Sequence, residues 1–419
     1  MMRILTVWII GLCGYASIVS AAEQPTMHAG AKGSALAGLR QSAFEHWKQG
    51  QFEKAADDYR DILRLSDGSQ ASAAFAEDLH SAAVIEGELG HYRDAKAYYR
   101  RELDVLHRTG NEVAAGEVYR SLAGILQIEG AFSEAETSYQ KSVELLTRCA
   151  GPGDIRTATT LNGLAWLYTL WGKMHEANLL LRQAMEAADR ALAPDDPRFI
   201  RFLDVRASFL TASGKYSEAE RSWKRALQIG KKAYSGDDAK YDEVLLHLGQ
   251  LYSVTEDFKS AEDMFQRFLV IAKPLAGPDS VIRAVATAEL ARVYSQQRKF
   301  DAAAQLFSHS IQLIETERDK VPVVYSLIRT YFGDYYMARS QWPEAEVQYR
   351  NALALRETML GKNAPDVAAS MLSLSKALTK LHRKKEAQQY YAQALAIATS
   401  QNNAIYSGDT IDVRAFRPH

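Results

Sequence analysis

A few side chains in this sequence have types and spacings that could do chemistry. His175-Glu176 begins like an H-E-x-x-H zinc helix, where two histidines four residues apart hold the metal and the glutamate acts as base. Position 179 is leucine, so the second ligand is missing. Asp195-Asp196 and Asp237-Asp238 could attract a divalent cation. Both lack the alternating oxygen ligands of a calcium loop, and their place ahead of helices suits the helix N-terminus instead. His382-Arg383-Lys384-Lys385 is a short basic run at a turn and reads as a solvated face. Cys149 has no evident histidine partner and reads as a small hydrophobe, or as a thiol that pairs between chains. No Gly-x-Ser-x-Gly and no glycine-rich phosphate loop occurs. The sequence predicts no catalytic residue, no metal and no cofactor.

The chain has 419 residues, 47% of them hydrophobic and 24% charged, which fits a soluble, folded protein. Its 50 basic and 51 acidic residues leave a net charge of −1, which argues against nucleic acid as a partner. The N-terminus has the layout of a secretory signal: Arg3, an apolar run from Ile4 to Val19, then Ser20, Ala21 and Ala22. Removal after Ala22 is expected, the alternative being an uncleaved anchor as the only membrane attachment. Cys13 lies in that segment, so a mature chain keeps Cys149 alone and has no intramolecular disulfide. Residues 23–35 are small and polar and read as a flexible leader.

The elements that would position any site come from a repeat. GQFEKAADDY begins at Gly50, GHYRDAKAYY at Gly90, GAFSEAETSY at Gly130, GKMHEANLLL at Gly172 and GKYSEAERSW at Gly214. EDFKSAEDMF follows at Glu256, RKFDAAAQLF at Arg298, SQWPEAEVQY at Ser340 and HRKKEAQQYY at His382. The nine starts are 40, 40 and then 42 residues apart. Alanine stands five residues after every start, from Ala55 to Ala387. Four residues later comes an aromatic in eight of nine copies, Leu181 being the exception. Seven residues before each start stands Ala, Gly or Ser, from Ala43 to Ser375. Apolar residues around both sets fall at helical spacing, so each unit is a helix A, a tight turn and a helix B. A single pair cannot bury its apolar face but a stack can, which predicts a solenoid over about 36–400. The tail 401–419, with Ile411, Val413 and Phe416, caps the last repeat or is disordered.

These residues carry a resemblance. Leu248-Gly249-Gln250-Leu251-Tyr252 matches the L-G-x2-Y element of the tetratricopeptide repeat family, and Ala219 to Trp223 matches its A-x3-aromatic element. The period of 42, against about 34 in the family, and segments such as TLNGLAWLY (Thr160 to Tyr168) resemble the kinesin-light-chain subclass. The resemblance implies an all-α, right-handed superhelical solenoid of about nine helix-turn-helix units. It implies a non-catalytic scaffold for a protein or an extended peptide. The asparagine ladder of that subclass is represented only by Asn162.

In the family, helix A lines the binding surface. That places Asn162, Trp166, Thr169, Arg201, Asp204, Gln250 and Arg292 as candidate groove residues, with Trp166 as an anchor. Together with the signal, this predicts an exported adaptor in a bacterial periplasm or cell envelope. The alternatives are a self-assembling repeat protein and an accessory subunit of an envelope enzyme complex.

Overall fold

The computed structural model describes residues 35–66, 72–234, 242–271, 278–315 and 322–404. The expected signal, most of the leader, Asp237-Asp238 and tail residues 405–419 lie outside them. Among the described residues there are eighteen helices and no strand. They follow one another as nine A–B pairs: α1 (Ala35–Lys48) with α2 (Phe52–Leu65), α3 (Ala73–Glu88) with α4 (Tyr92–Thr109), and α5 (Glu112–Ile128) with α6 (Phe132–Cys149). Next are α7 (Ile155–Trp171) with α8 (Met174–Ala191), α9 (Phe199–Ala212) with α10 (Tyr216–Tyr234), and α11 (Asp242–Val254) with α12 (Phe258–Ile271). The last three pairs are α13 (Pro278–Gln296) with α14 (Phe300–Ile314), α15 (Pro322–Ala338) with α16 (Trp342–Leu360), and α17 (Pro365–Lys380) with α18 (Lys384–Ala404). The chain forms two compact units, an amino-terminal one through Leu251 and a carboxy-terminal one from Tyr252.

Every A–B turn has one construction. The start residue adopts a left-handed conformation, with φ from 58° to 80° at all nine positions. Its amide bonds back three residues and the next amide bonds back five, as in Gly172 to Thr169 and Lys173 to Tyr168. The same pair recurs in Ser340 to Met337 and Gln341 to Tyr336. This is the Schellman ending of a helix, which satisfies the last carbonyls of helix A. Helix starts are capped where the connectors supply oxygen. Asp154 caps α7 by accepting from the Arg156 amide at 2.8 Å, and in the connector before α9 Asp196 accepts from the Arg198 amide at 2.9 Å.

The small residues do what their spacing predicts. Ala43, Ala83, Ala123, Ala165 and Ala207 are fully buried, as are Ala55, Ala95, Ala135, Ala177 and Ala219 on the paired helices. A Cβ added at Gly163 would lie 2.8 Å from the Tyr139 ring. One at Gly333 would lie 2.5 Å from the Tyr349 ring. Backbone and aromatic ring thus meet at a distance no larger residue allows. Trp223, Phe265 and Phe307 are completely buried at the aromatic position, and Leu181 fills it equally well at 4% exposure.

Successive pairs are also clamped by polar groups. Glu136 on α6 accepts from Tyr168 Oη at 2.6 Å and Lys173 Nζ at 3.0 Å. Within the carboxy-terminal unit, Glu262 accepts from Tyr294 Oη at 2.9 Å and Lys299 Nζ at 3.1 Å. Two isolated features are now placed. Cys149, read as a small hydrophobe or as a thiol that pairs between chains, is exposed because it ends α6, and its Sγ donates to Glu112 at 3.2 Å. In the basic run, Arg383 pairs with Glu346 at 2.7 Å across repeats. Among the described residues no helix is long and apolar enough to cross a membrane.

Candidate functional site

In the amino-terminal unit the polar groups gather around α9. Asp204 is about one-fifth exposed. It accepts Trp223 Nε1–H from α10 at 2.8 Å and pairs with His247 Nδ1 on α11 at 2.6 Å. The Trp223 and His247 rings lie 5.7 Å apart. Burial pushes the Asp204 carboxyl up, but the His247 imidazole and the bonds from His247 and Trp223 outweigh it, so it titrates below its ordinary range. Burial likewise opposes the charge on His247, and Asp204 more than compensates, so the imidazole is raised. The fully buried Nε2 of His247 finds no hydrogen-bond partner among the described residues.

Arg201 lies one turn before Asp204. Desolvation lowers its guanidinium, against the attraction of Glu243 and Asp204, and Arg120 adds to the lowering. Asn162 Nδ2 donates to the Arg201 carbonyl at 3.4 Å. Its buried Oδ1 has no hydrogen-bond partner among the described residues. Tyr139, buried between repeats, is pushed up to about 12.

The carboxy-terminal unit has its own cluster. Glu289 on α13 is fully buried, pairs with Arg292 at 2.7 Å and accepts Tyr331 Oη–H at 3.0 Å. The Arg292 guanidinium lies 5.3 Å from the Tyr331 ring centre. Desolvation opposes its charge, but Glu289 prevails and raises it. Asp334 accepts Tyr349 Oη–H at 2.6 Å. Arg356, 4% exposed, donates to Ser326 Oγ and Ser370 Oγ at 3.0 and 2.6 Å.

The groove candidates therefore divide. Arg201, Asp204 and Arg292 keep partial exposure on helices α9 and α13. Asn162, Trp166, Thr169 and Gln250 are at most 5% exposed. Trp166 packs inside the stack, because a central helix A is covered by its own helix B and by neighbouring pairs. His247, Glu289 and Tyr331 complete the clusters and were not singled out by the sequence, and Trp223 was read there only as a packing aromatic. A signal was present: Asp204 and His247 are 43 residues apart and Glu289 and Tyr331 are 42 apart, so each partner sits one period away. Chemically, the clusters pair charges and tie one helix to the next. His247 is shut off from solvent and bound to a carboxylate, and so has no access to a substrate. Among the described residues no three His, Cys, Asp or Glu side chains gather as a metal site.

Paired helices with left-handed turns and small-residue contacts define a helical-repeat protein. The tetratricopeptide repeat family model matches residues 114–190, 202–273 and 326–400, just over half of the sequence, and the chain belongs to that family. A comparison with curated protein sequences found no match. Among solved structures, the chain is similar to a Rap protein complexed with Competence and Sporulation Factor. The TM-score is 0.58 and the identity 14%, over 88% of this chain and 99% of that one. It is also similar to the apo quorum sensor NprR from B. thuringiensis, with TM-score 0.57 and 14% identity, over 86% and 97% of the two chains. Aspartyl phosphate phosphatase F from Bacillus subtilis gives 0.53 and 12%, over 92% and 99%. At these identities the likeness is one of fold.

Proposed function

We propose that the chain is a non-catalytic scaffold that binds a protein or an extended peptide along its helix-A surfaces, with no nucleic acid and no small-molecule cofactor. The observation that carries this reading is the distribution of unfulfilled polar groups. Ser121 Oγ, Asn162 Oδ1 and Ser208 Oγ are buried, find no hydrogen-bond partner among the described residues, and lie on first helices of the amino-terminal unit. Buried polar atoms are ordinarily satisfied, and a ligand backbone is one way to satisfy them. Partly exposed Arg201 and Asp204 supply charged contacts at the edge of that surface, and Arg292 supplies one in the carboxy-terminal unit. The Rap structure, crystallised with Competence and Sporulation Factor, supports binding as the use of such a fold. The signal-like layout of residues 1–22 supports export.

The test is retention of partners from an envelope extract by the immobilised full chain, compared with Arg201→Glu and Asn162→Ala variants of unchanged helicity. Loss of the same partner in both variants is expected. A partner retained equally by wild type and both variants would remove helix A of these repeats from the binding surface. Concentration-dependent mass by light scattering, without partner retention, would favour end-to-end self-assembly instead.

A further inference from the structure

The fifth repeat departs from the others at one core position. Eight residues before the turn, six of the nine repeats have a large apolar residue, Leu122, Leu164, Leu248, Leu290, Phe332 or Leu374, all buried, and the first two have Ser42 and Ala82. In the fifth repeat that place is taken by Arg206, which is exposed. A charged side chain cannot occupy the apolar slot without losing its hydration. Between α9 and α10 the amino-terminal unit has an open hollow of about 190 Å³ lined by Leu203, Arg206, Glu218, Arg221, Ser222 and Arg225.

The lining is strongly cationic. Glu218, Arg221, Ser222 and Arg225 follow one another at three- and four-residue spacing, so they share one face of α10. Arg206 meets them from α9. Seven residues after the turn, where Arg221 stands, no other repeat has a basic residue; Leu179, Asp263 and Val347 are among the equivalents. Neither Arg206 nor Arg221 has an ion pair or a hydrogen bond within the described residues. Arg225 makes a ring contact, with its guanidinium 5.2 Å from the Phe199 centre, which steers it without neutralising it. Three guanidinium groups against the one carboxylate of Glu218 leave a local charge of +2.

We propose that this hollow is an oxyanion site for a small phosphate-bearing ligand. Guanidinium forks donate in pairs to the oxygens of a tetrahedral anion. A phosphate monoester carries close to two negative charges and three acceptor oxygens at neutral pH, matching the net charge of the lining. A carboxylate, with one charge and a planar pair of oxygens, uses only part of it. The site is separate from the Asp204 cluster and does not depend on peptide binding.

Calorimetric titration of the full chain with inorganic phosphate, and separately with glycerol 3-phosphate, tests the assignment against sodium acetate at matched ionic strength. Saturable binding of phosphate is expected, with acetate at least about tenfold weaker. Binding of glycerol 3-phosphate as tightly as inorganic phosphate assigns an ester ligand; preference for the free ion assigns phosphate itself. Arg206→Leu restores the residue found in other repeats, so it is expected to fold and to lose about tenfold or more in affinity. Arg221→Ala, at an exposed position, gives the same readout should the leucine variant misfold. No saturable phosphate binding, equal binding of acetate, or unchanged affinity in a folded Arg206→Leu or Arg221→Ala variant would overturn the proposal.

Discussion

The two units build the same turn from different residues. In the amino-terminal unit the left-handed position holds glycine five times, at Gly50, Gly90, Gly130, Gly172 and Gly214. In the carboxy-terminal unit it holds Glu256, Arg298, Ser340 and His382, at φ of 58° to 63°. The hydrogen bonds are the same in both. The turn is therefore dictated by the helix-ending bonds and by the packing of the paired helices. The residue decides only the strain, about 1–2 kcal/mol per non-glycine position. The clusters differ in parallel. The amino-terminal unit relies on a carboxylate–imidazole pair, Asp204 with His247, whereas the carboxy-terminal unit relies on a carboxylate–guanidinium pair, Glu289 with Arg292.

The strongest way to break the comparison is through the aromatic position. Trp223→Ala and Phe307→Ala are each expected to destabilise their own unit by about 3–5 kcal/mol in urea unfolding. Trp223→Phe keeps most of the apolar volume and loses the bond to Asp204, so about 1–2 kcal/mol of that effect should persist. Phe307 has no polar handle to lose, and equal costs for Trp223→Phe and a conservative Phe307→Leu would show that the bond contributes nothing.

Next in size is Asp204→Ala, which strands His247 and the Trp223 N–H and should cost about 2–4 kcal/mol. The same pair gives the amino-terminal unit a pH dependence. His247 is raised from 6.5 in the folded chain, so its contribution is complete below pH 6.5 and is lost as pH rises through the folded value. Asp204 is lowered from 3.8, so its contribution is present above that value and fades as pH falls through the folded one. Hydrogen exchange followed by mass spectrometry, unit by unit from pH 6 to 9, should show the α9–α11 region loosening while α13 and α15 hold. A flat profile around α11, or one that survives in Asp204→Asn, would refute the pairing.

Much of this architecture was legible in the sequence, because repetition turns weak local signals into a pattern. The A–B pairs, the turn positions, and the alanine and aromatic contacts all followed from spacing alone. Exposure was less legible. Trp166 has the composition of an anchor, but whether a ring on helix A faces outward or into the next pair depends on a few degrees of helix rotation, which apolar spacing does not resolve. The burial of His247 was hidden for another reason: its partner lies one period away, beyond any single motif. The exposure of Cys149 was not legible because the end of α6 falls at the surface, where hydrophobicity does not decide the outcome.

The smallest effects would sharpen the comparison most directly. Gly172 has open space around an added Cβ, so Gly172→Ala tests backbone strain alone and should cost about 1 kcal/mol. Ser340→Gly should run the other way, gaining up to about 1 kcal/mol after the greater freedom of glycine in the unfolded chain is deducted. Thermal melts of the two variants, shifting in opposite directions, would confirm that the turns share a geometry and differ only in strain.

The Asp204 triad has a consequence for anyone exchanging repeats between proteins of this type. Its members come from α9, α10 and α11, so the chemical module does not begin and end where the sequence repeat does. A cassette cut at the connector after α10 would carry Asp204 and Trp223 away and leave His247 behind, facing an unfamiliar neighbour. A cassette that runs through α11 would travel with its charges already matched, and the natural seam for grafting lies inside the next repeat, at its turn.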